Sequence, residues 1–270
     1  MAYEKELEAA LRLVREAGKL ALRLREQGIE AEDKPDDSPV TIADRECERL
    51  FVSELEREYP GDGLLGEEGA NKASQNGRRW IIDPIDGTRD FVRGNRLWCH
   101  LLALEDRGQV VLGVAAFPAL DETYWAVRSE GAFHDGQRIG ISSITEASRS
   151  VACLNQINHV LKRPGAEKFL DLAAMFWSVR CTGGAQDAMW VSSGRAEFWL
   201  EPSAKPWDLA AIQVIAQESG AAFFDYRGED TIYGGNAIVC VPALVPLARW
   251  FLGLSPSYDG GHVSAPVAGS

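Results

Sequence analysis

Between residues 3 and 27, Leu7, Leu11, Val14, Ala17, Ala21 and Leu24 recur at steps of three and four with charges between them. This spacing predicts an amphipathic helix closed by Gly28. Residues 31–39 are polar and proline-bearing. A second helix is predicted over about 41–58, with Ile42, Cys47, Leu50, Phe51 and Leu55 on its buried side and Pro60-Gly61 as its stop. After a glycine-rich acidic loop the pattern shortens to strand-like runs at 80–82, 97–104, 110–117, 123–127 and 132–134. Turn residues such as Asp106-Arg107-Gly108 separate these runs, which predicts an antiparallel sheet. Near residue 145 the pattern changes again. Strands at 151–154, 197–200, 221–224 and 237–240 alternate with helices at 166–176, 185–193 and 209–219, the signature of an α/β arrangement.

At 270 residues the chain is close to the upper limit for one hydrophobic core, so one large domain or two closely packed subdomains would fit. The patterns divide it into an N-terminal α+β subdomain over 1–145, a C-terminal α/β subdomain over 146–254, and a Gly/Ser/Pro-rich tail over 255–270 expected to be flexible. A hydrophobic fraction of 46% and a charged fraction of 25% match a packed globular protein. The net charge of -12, without any Lys/Arg run, argues against nucleic-acid binding, and an anionic substrate would need local positive charge such as a divalent cation. Five scattered cysteines without a C-x-x-C spacing indicate neither a disulfide framework nor a thiolate zinc site. The N-terminus has no apolar signal core, and the longest apolar stretch, 241–254, is interrupted by Pro246 and Arg249. A cytoplasmic protein without membrane contact is expected.

The strongest chemical signal is Trp80-Ile81-Ile82-Asp83-Pro84-Ile85-Asp86-Gly87-Thr88, an apolar strand ending in two carboxylates and a glycine turn. Both acids can point into one mouth at the strand end, and Gly87 permits main-chain N–H groups to approach an anion. Hard oxygen ligands beside a phosphate cradle suit Mg²⁺. Asp86-Gly87 also reads simply as a turn. Upstream, Gly66-Glu67-Glu68-Gly69 is a second acidic element that alone would pass for an exposed loop. Downstream, Asp208 in Lys205-Pro206-Trp207-Asp208-Leu209 leads into an apolar helix ended by Gly220, where it could be an N-cap, a metal ligand or both.

Taken together and in this order, Gly66-Glu67-Glu68, Asp83-Pro84-Ile85-Asp86-Gly87-Thr88 and Trp207-Asp208 closely resemble the motifs of the inositol monophosphatase superfamily, the lithium-sensitive, magnesium-dependent phosphatases. The resemblance covers about residues 5–252. It implies a layered α-β-α-β-α sandwich. It also implies two or three Mg²⁺ ions held by Glu67, Asp83, the Ile85 carbonyl, Asp86 and Asp208, with phosphate on Gly87 and Thr88. Thr88 and Asp44, with Glu67, would be catalytic, orienting the attacking water, although Asp44 also reads as a first-turn acid favouring its helix. Inhibition by Li⁺ and a homodimer follow from the resemblance alone.

Phe91-Val92-Arg93-Gly94 with Leu97-Trp98, and Thr123-Tyr124-Trp125-Ala126 with Gly131-Ala132-Phe133, are similar to the histidinol-phosphatase-like branch. Gly183-Gly184-Ala185-Gln186 departs from that branch, standing where an Asp-bearing Gly-Asp-Cys-Tyr-like element is expected to face the substrate amine. The alcohol side of the pocket is expected from Gly184, Ala185, Glu201 and Arg93, with Asp86 and Asp208, although Glu201 also reads as a surface acid at a strand end. His100 reads as a packed strand residue rather than a ligand. The reading is hydrolysis of a small phosphorylated metabolite, histidinol phosphate first and myo-inositol monophosphate second. A sugar bisphosphatase or a 3′-phosphonucleotide phosphatase stands lower for want of a second basic cluster, and a catalytically silent metal-binding scaffold is the alternative from another class.

Overall fold

The protein is described from a computed structural model, which places residues 2–28, 31–33, 39–255 and 258. Apart from Ser255 and Tyr258, the tail expected to be flexible lies outside the described residues. The first half runs α1 (Glu4–Glu26), β1 (Ala31–Asp33), β2 (Pro39–Thr41), α2 (Ile42–Glu58), β3 (Gly63–Gly66), β4 (Asn71–Lys72), β5 (Arg78–Asp86), α3 (Thr88–Val92), β6 (Cys99–Asp106), β7 (Gln109–Phe117), β8 (Glu122–Val127), β9 (Gly131–His134) and β10 (Gln137–Arg138). The second runs β11 (Val151–Leu154), α4 (Ile157–Val160), α5 (Ala166–Met175), β12 (Ser178–Arg180), α6 (Gly184–Ser192), β13 (Phe198–Glu201), α7 (Pro206–Ser219), β14 (Ala222–Phe224), β15 (Ala237–Cys240) and α8 (Val245–Phe251).

Two sheets organise the layers. The larger has the order β10-β9-β8-β7-β6-β5-β3-β4 and is antiparallel except where β3 lies parallel to β5. The smaller has the order β12-β11-β13-β15-β14, with β11 parallel to both of its neighbours and β15 antiparallel to both of its own. On β6, Cys99, Leu101 and Ala103 face the layer between the sheets, whereas Leu102 and Leu104 face α1 and α2, the period-two split of a strand buried on both sides. The same alternation on β13 sends Trp199 inward and Phe198 and Leu200 toward α5 and α8. The stack is therefore α1/α2, large sheet, α6/α7, small sheet, α5/α8.

Helix α7 is the central element and is buried nearly all round, as Leu209, Ala210, Ala211, Ile212, Val214 and Ile215 require. Pro206 opens it, and Gly220 closes it in the left-handed region at φ 98°. It can lie against β7 because that strand carries Gly113. A Cβ at that position would sit 2.6 Å from Val214 Cγ1 and 2.8 Å from the Ala211 backbone. Helix α7 also packs against β5, and Asp208 lies in its first turn. The apolar stretch over 241–254 contains a short 3-10 turn (Pro242–Leu244) and α8, with Pro246 in the first turn of α8.

Candidate active site

Strand alternation would send residues three apart, such as Asp83 and Asp86, to opposite faces of a sheet. The pairing of β5 with β6 breaks that parity. Asp83 stands opposite Leu101 and Asp86 opposite Cys99, so Pro84 and Ile85 together face one residue, His100. This is a β-bulge, and it brings both acids to the same side of the sheet. They meet Asp208 from the first turn of α7 and Glu67 from the loop after β3 around a cavity of about 310 Å³, a size suited to a small metabolite. The Glu67 loop is anchored at both ends. Glu67 N–H donates to Ile82 O at 3.2 Å, and the buried Glu48 accepts from Glu68 N at 2.8 Å and Ala70 N at 2.9 Å.

Gathering these acids raises their proton affinity. Burial first, then Glu67, Asp208 and Asp86, push the Asp83 carboxyl well above its usual range. Burial and then Asp86 push Asp208 up to about 7, partly opposed by the Lys205 N–H donated to it at 2.7 Å. Burial also raises Asp86, against a donation from Ala185 N–H at 3.1 Å. That last contact needs a glycine beside it: Gly184 has φ +45°, and a Cβ there would lie 2.7 Å from Asp86 Oδ2. Among the described residues no three His, Cys, Asp or Glu side chains form a ready-made metal cage. The acids instead lean on one another, with Asp83 in hydrogen-bond contact with both Glu67 and Asp208. Even so, Asp83 Oδ1 is buried without any partner, the defect expected of an oxygen whose natural neighbour is a cation. Glu67, Asp83, Asp86, Asp208 and the Ile85 carbonyl are the oxygen donors that could hold one.

Thr88 lines the cavity, and the fully buried Asp44 stands behind it. Asp44 Oδ2 accepts from Thr41 N–H at 2.8 Å and the Thr41 hydroxyl at 2.5 Å, completing a capping box at the start of α2. Its Oδ1 lies 3.2 Å from the Thr88 hydroxyl, which is also 3.1 Å from the Ile85 carbonyl. The first-turn reading of Asp44 therefore holds, and the same side chain also reaches the Thr88 hydroxyl. Burial raises it to about 6 despite the two donors. Asp208 is not an N-cap, because α7 begins at Pro206 and places Asp208 inside the first turn.

The far end of the cavity holds Glu201, only 5% exposed and so not the surface acid that a strand end suggested. Asn155 Nδ2 donates to it at 2.8 Å and Gln156 Nε2 at 2.6 Å, while burial lifts it to about 8. Gln156 sits at φ 42°, an uncommon region for a residue with a Cβ, and also donates to Ser203 O at 3.0 Å. Gly184 and Ala185 line the cavity as expected, but Arg93 does not, and Arg89 stands there instead. The acid nearest the departing 183–186 segment, Asp187, is fully buried and turned back onto the Thr182 hydroxyl and Gly183 N–H, so it caps α6 rather than facing the cavity. Asn155, Gln156 and Arg89 escaped the sequence reading because lone amides and a helix-surface arginine carry no periodic or motif signal.

The sequence profile of the Inositol monophosphatase family matches residues 2–251. A histidinol-phosphatase of Chlorobaculum parvum is 42% identical over 87% of this chain and 91% of its own length, and one of Mycobacterium tuberculosis is 37% identical over 86% and 92%. The structure of an IMPase of Thermotoga maritima superposes with a TM-score of 0.84 at 29% identity, covering 93% of this chain and 97% of that one. These relatives mark the chain as a phosphoric monoester hydrolase, and its fold is the layered α/β architecture. The chain belongs to the inositol monophosphatase family.

Proposed function

We propose that the chain hydrolyses a small phosphomonoester with the help of bound Mg²⁺, with histidinol phosphate as the preferred substrate and inositol monophosphate as the second choice. The observation that carries the reading is the convergence of Glu67, Asp83, Asp86 and Asp208 on one cavity, with Asp83 Oδ1 buried and unpartnered. Four carboxylates so placed repel a phosphate unless cations intervene, and all-oxygen donors favour hard ones. Mg²⁺ in this setting supplies charge neutralisation and Lewis acidity toward the phosphoryl group. Gly87 and Thr88 receive the phosphate at the cavity wall. The Thr88 hydroxyl orients a water by accepting its O–H and donates its own proton to Asp44 Oδ1, so that Asp44, raised to about 6 and ionised at neutral pH, receives the water's proton by way of Thr88. Glu67 assists as ligand and base.

At the other end, Glu201 accepts a polar group of the alcohol, with Gly184, Ala185, Asp86 and Asp208 shaping the space. Histidinol carries a cationic amine, which beside Glu201 would favour the ionised carboxylate that burial alone disfavours, and the two histidinol-phosphatases similar to this chain support this choice. Residues 1–145 then supply most metal ligands, and 146–254 supply Asp208 and the alcohol pocket. Inhibition by Li⁺, a place in histidine biosynthesis, a cytoplasmic setting and a homodimer belong to the same proposal. Among the described residues no helix is long and apolar enough to cross a membrane. A panel of histidinol phosphate, myo-inositol 1-phosphate, fructose 1,6-bisphosphate and a 3′-phosphonucleotide, scored by phosphate release with Mg²⁺ or chelator, tests it. Histidinol phosphate is expected to give the highest kcat/KM, and release no faster than background on every member would remove the reading.

A further inference from the structure

The two acids of β5 share a mouth only because the strand is bulged between them, and the residue opposite the bulge is His100. Its ring is fully buried and is clamped edge-on by Trp98 and Phe51, with centroids 5.6 and 6.0 Å away. Its Nδ1 is in hydrogen-bond contact with the carbonyl of Pro84, one of the two bulged residues. A carbonyl can only accept, so the ring proton resides on Nδ1. Nε2 has no partner and faces α1, where a Cβ added at Gly18 would lie 3.8 Å from it. Burial lowers the pKa of His100 to about 4, which keeps the ring neutral and the bond intact through neutral pH. Pro84 gives the ladder no N–H, and proline is found within sheets chiefly at edges and bulges.

We propose that His100 is a positioning residue: its Nδ1–H bond to the Pro84 carbonyl fixes the bulge that turns Asp83 and Asp86 to the same side. Without that bond the bulge can slide or flatten, and one of the two carboxylates leaves the cavity. The inference rests on the metal-assisted reading above. It assigns a role to a side chain that touches neither phosphate nor cation.

The test compares His100→Leu, which fills the space but lacks the donor, with His100→Asn, whose amide N–H can replace Nδ1–H. Should His100→Leu not fold, His100→Met takes its place. Mg²⁺ binding is measured by calorimetry without substrate, alongside the half-saturating Mg²⁺ in phosphate release. Loss of the donor is expected to weaken Mg²⁺ binding by about 10- to 100-fold, the scale seen when a ligand's supporting contact is removed. His100→Asn should stay within about threefold of the parent, since the supporting donor is kept. Parent-like Mg²⁺ affinity in His100→Leu, or equal weakening in both variants, would overturn the positioning role alone. A parent protein that turns over substrate equally with and without chelator would overturn the metal reading and this inference with it.

Discussion

Asp208→Asn should make the metal-free protein more stable while disabling it. Asp208 is buried among Asp83, Asp86 and Glu67, and its pKa rises from 3.8 to about 7. An acid that holds its proton more tightly when folded stabilises the fold at low pH, and that contribution is lost as pH rises through the folded value. Between pH 5.5 and 8.5 the loss runs from 5.5 to about 7, or about 1.5 units, which is about 2 kcal/mol for this group at 1.36 kcal/mol per unit. For a chain of this length about 2 kcal/mol corresponds to about 4–8 °C in Tm. The direction also holds for Asp44 and Glu201, raised to about 6 and about 8, so the parent slope exceeds the share of Asp208. Thermal melts in chelator at pH 5.5 and 8.5 provide the assay. The parent should melt lower at pH 8.5 and recover when Mg²⁺ is added. Asp208→Asn keeps an oxygen for the Lys205 N–H but carries no charge, so it should lose less stability with pH and melt above the parent at 8.5. Its turnover should fall by at least about a hundredfold, the cost of losing a transition-state electrostatic contact. A variant that melts below the parent at pH 8.5 in chelator would refute the electrostatic argument.

Three further outcomes follow from individual contacts. Thr88→Ala removes the hydroxyl that joins Asp44 to the Ile85 carbonyl and should lower kcat about a hundredfold with little change in KM, whereas Thr88→Ser should retain most activity; steady-state kinetics decide. Glu201→Gln should reduce kcat/KM for histidinol phosphate more than for myo-inositol 1-phosphate, and an equal reduction for both would deny Glu201 a part in amine recognition. Gly113→Ala drives a Cβ into Val214 and the Ala211 backbone and should cost about 1–3 kcal/mol in denaturant unfolding.

Much of the fold was legible because its helices and long strands are buried in strict register. The three- and four-residue steps of α1 and the runs that became β6 and β7 follow from one-sided or two-sided burial. Short elements were not legible. β3 has four residues inside what reads as a glycine-rich loop, and it is a strand because it pairs with β5, a partner that no local pattern announces. β12 has three residues at a sheet edge. In the site, the Asp83–Asp86 motif was legible from its string, but the reason both acids face one way was not. That reason is a bulge, set by register with β6 and by the His100 contact to Pro84. Glu201 was legible as a candidate, whereas the amides that hold it were not. Asn155 and Gln156 gain meaning only when β11 and β13 lie side by side.

In the proposed mechanism Glu67, Asp83, Asp86 and Asp208 act through bound Mg²⁺ on a phosphomonoester. Phosphate release from histidinol phosphate, followed across a Mg²⁺ titration for the parent and Asp83→Asn, tests it most directly. No release is expected in chelator, the parent should show saturable activation, and Asp83→Asn at least about a hundredfold lower turnover at saturating Mg²⁺. Parent-like turnover by Asp83→Asn, or undiminished release in chelator, would contradict it.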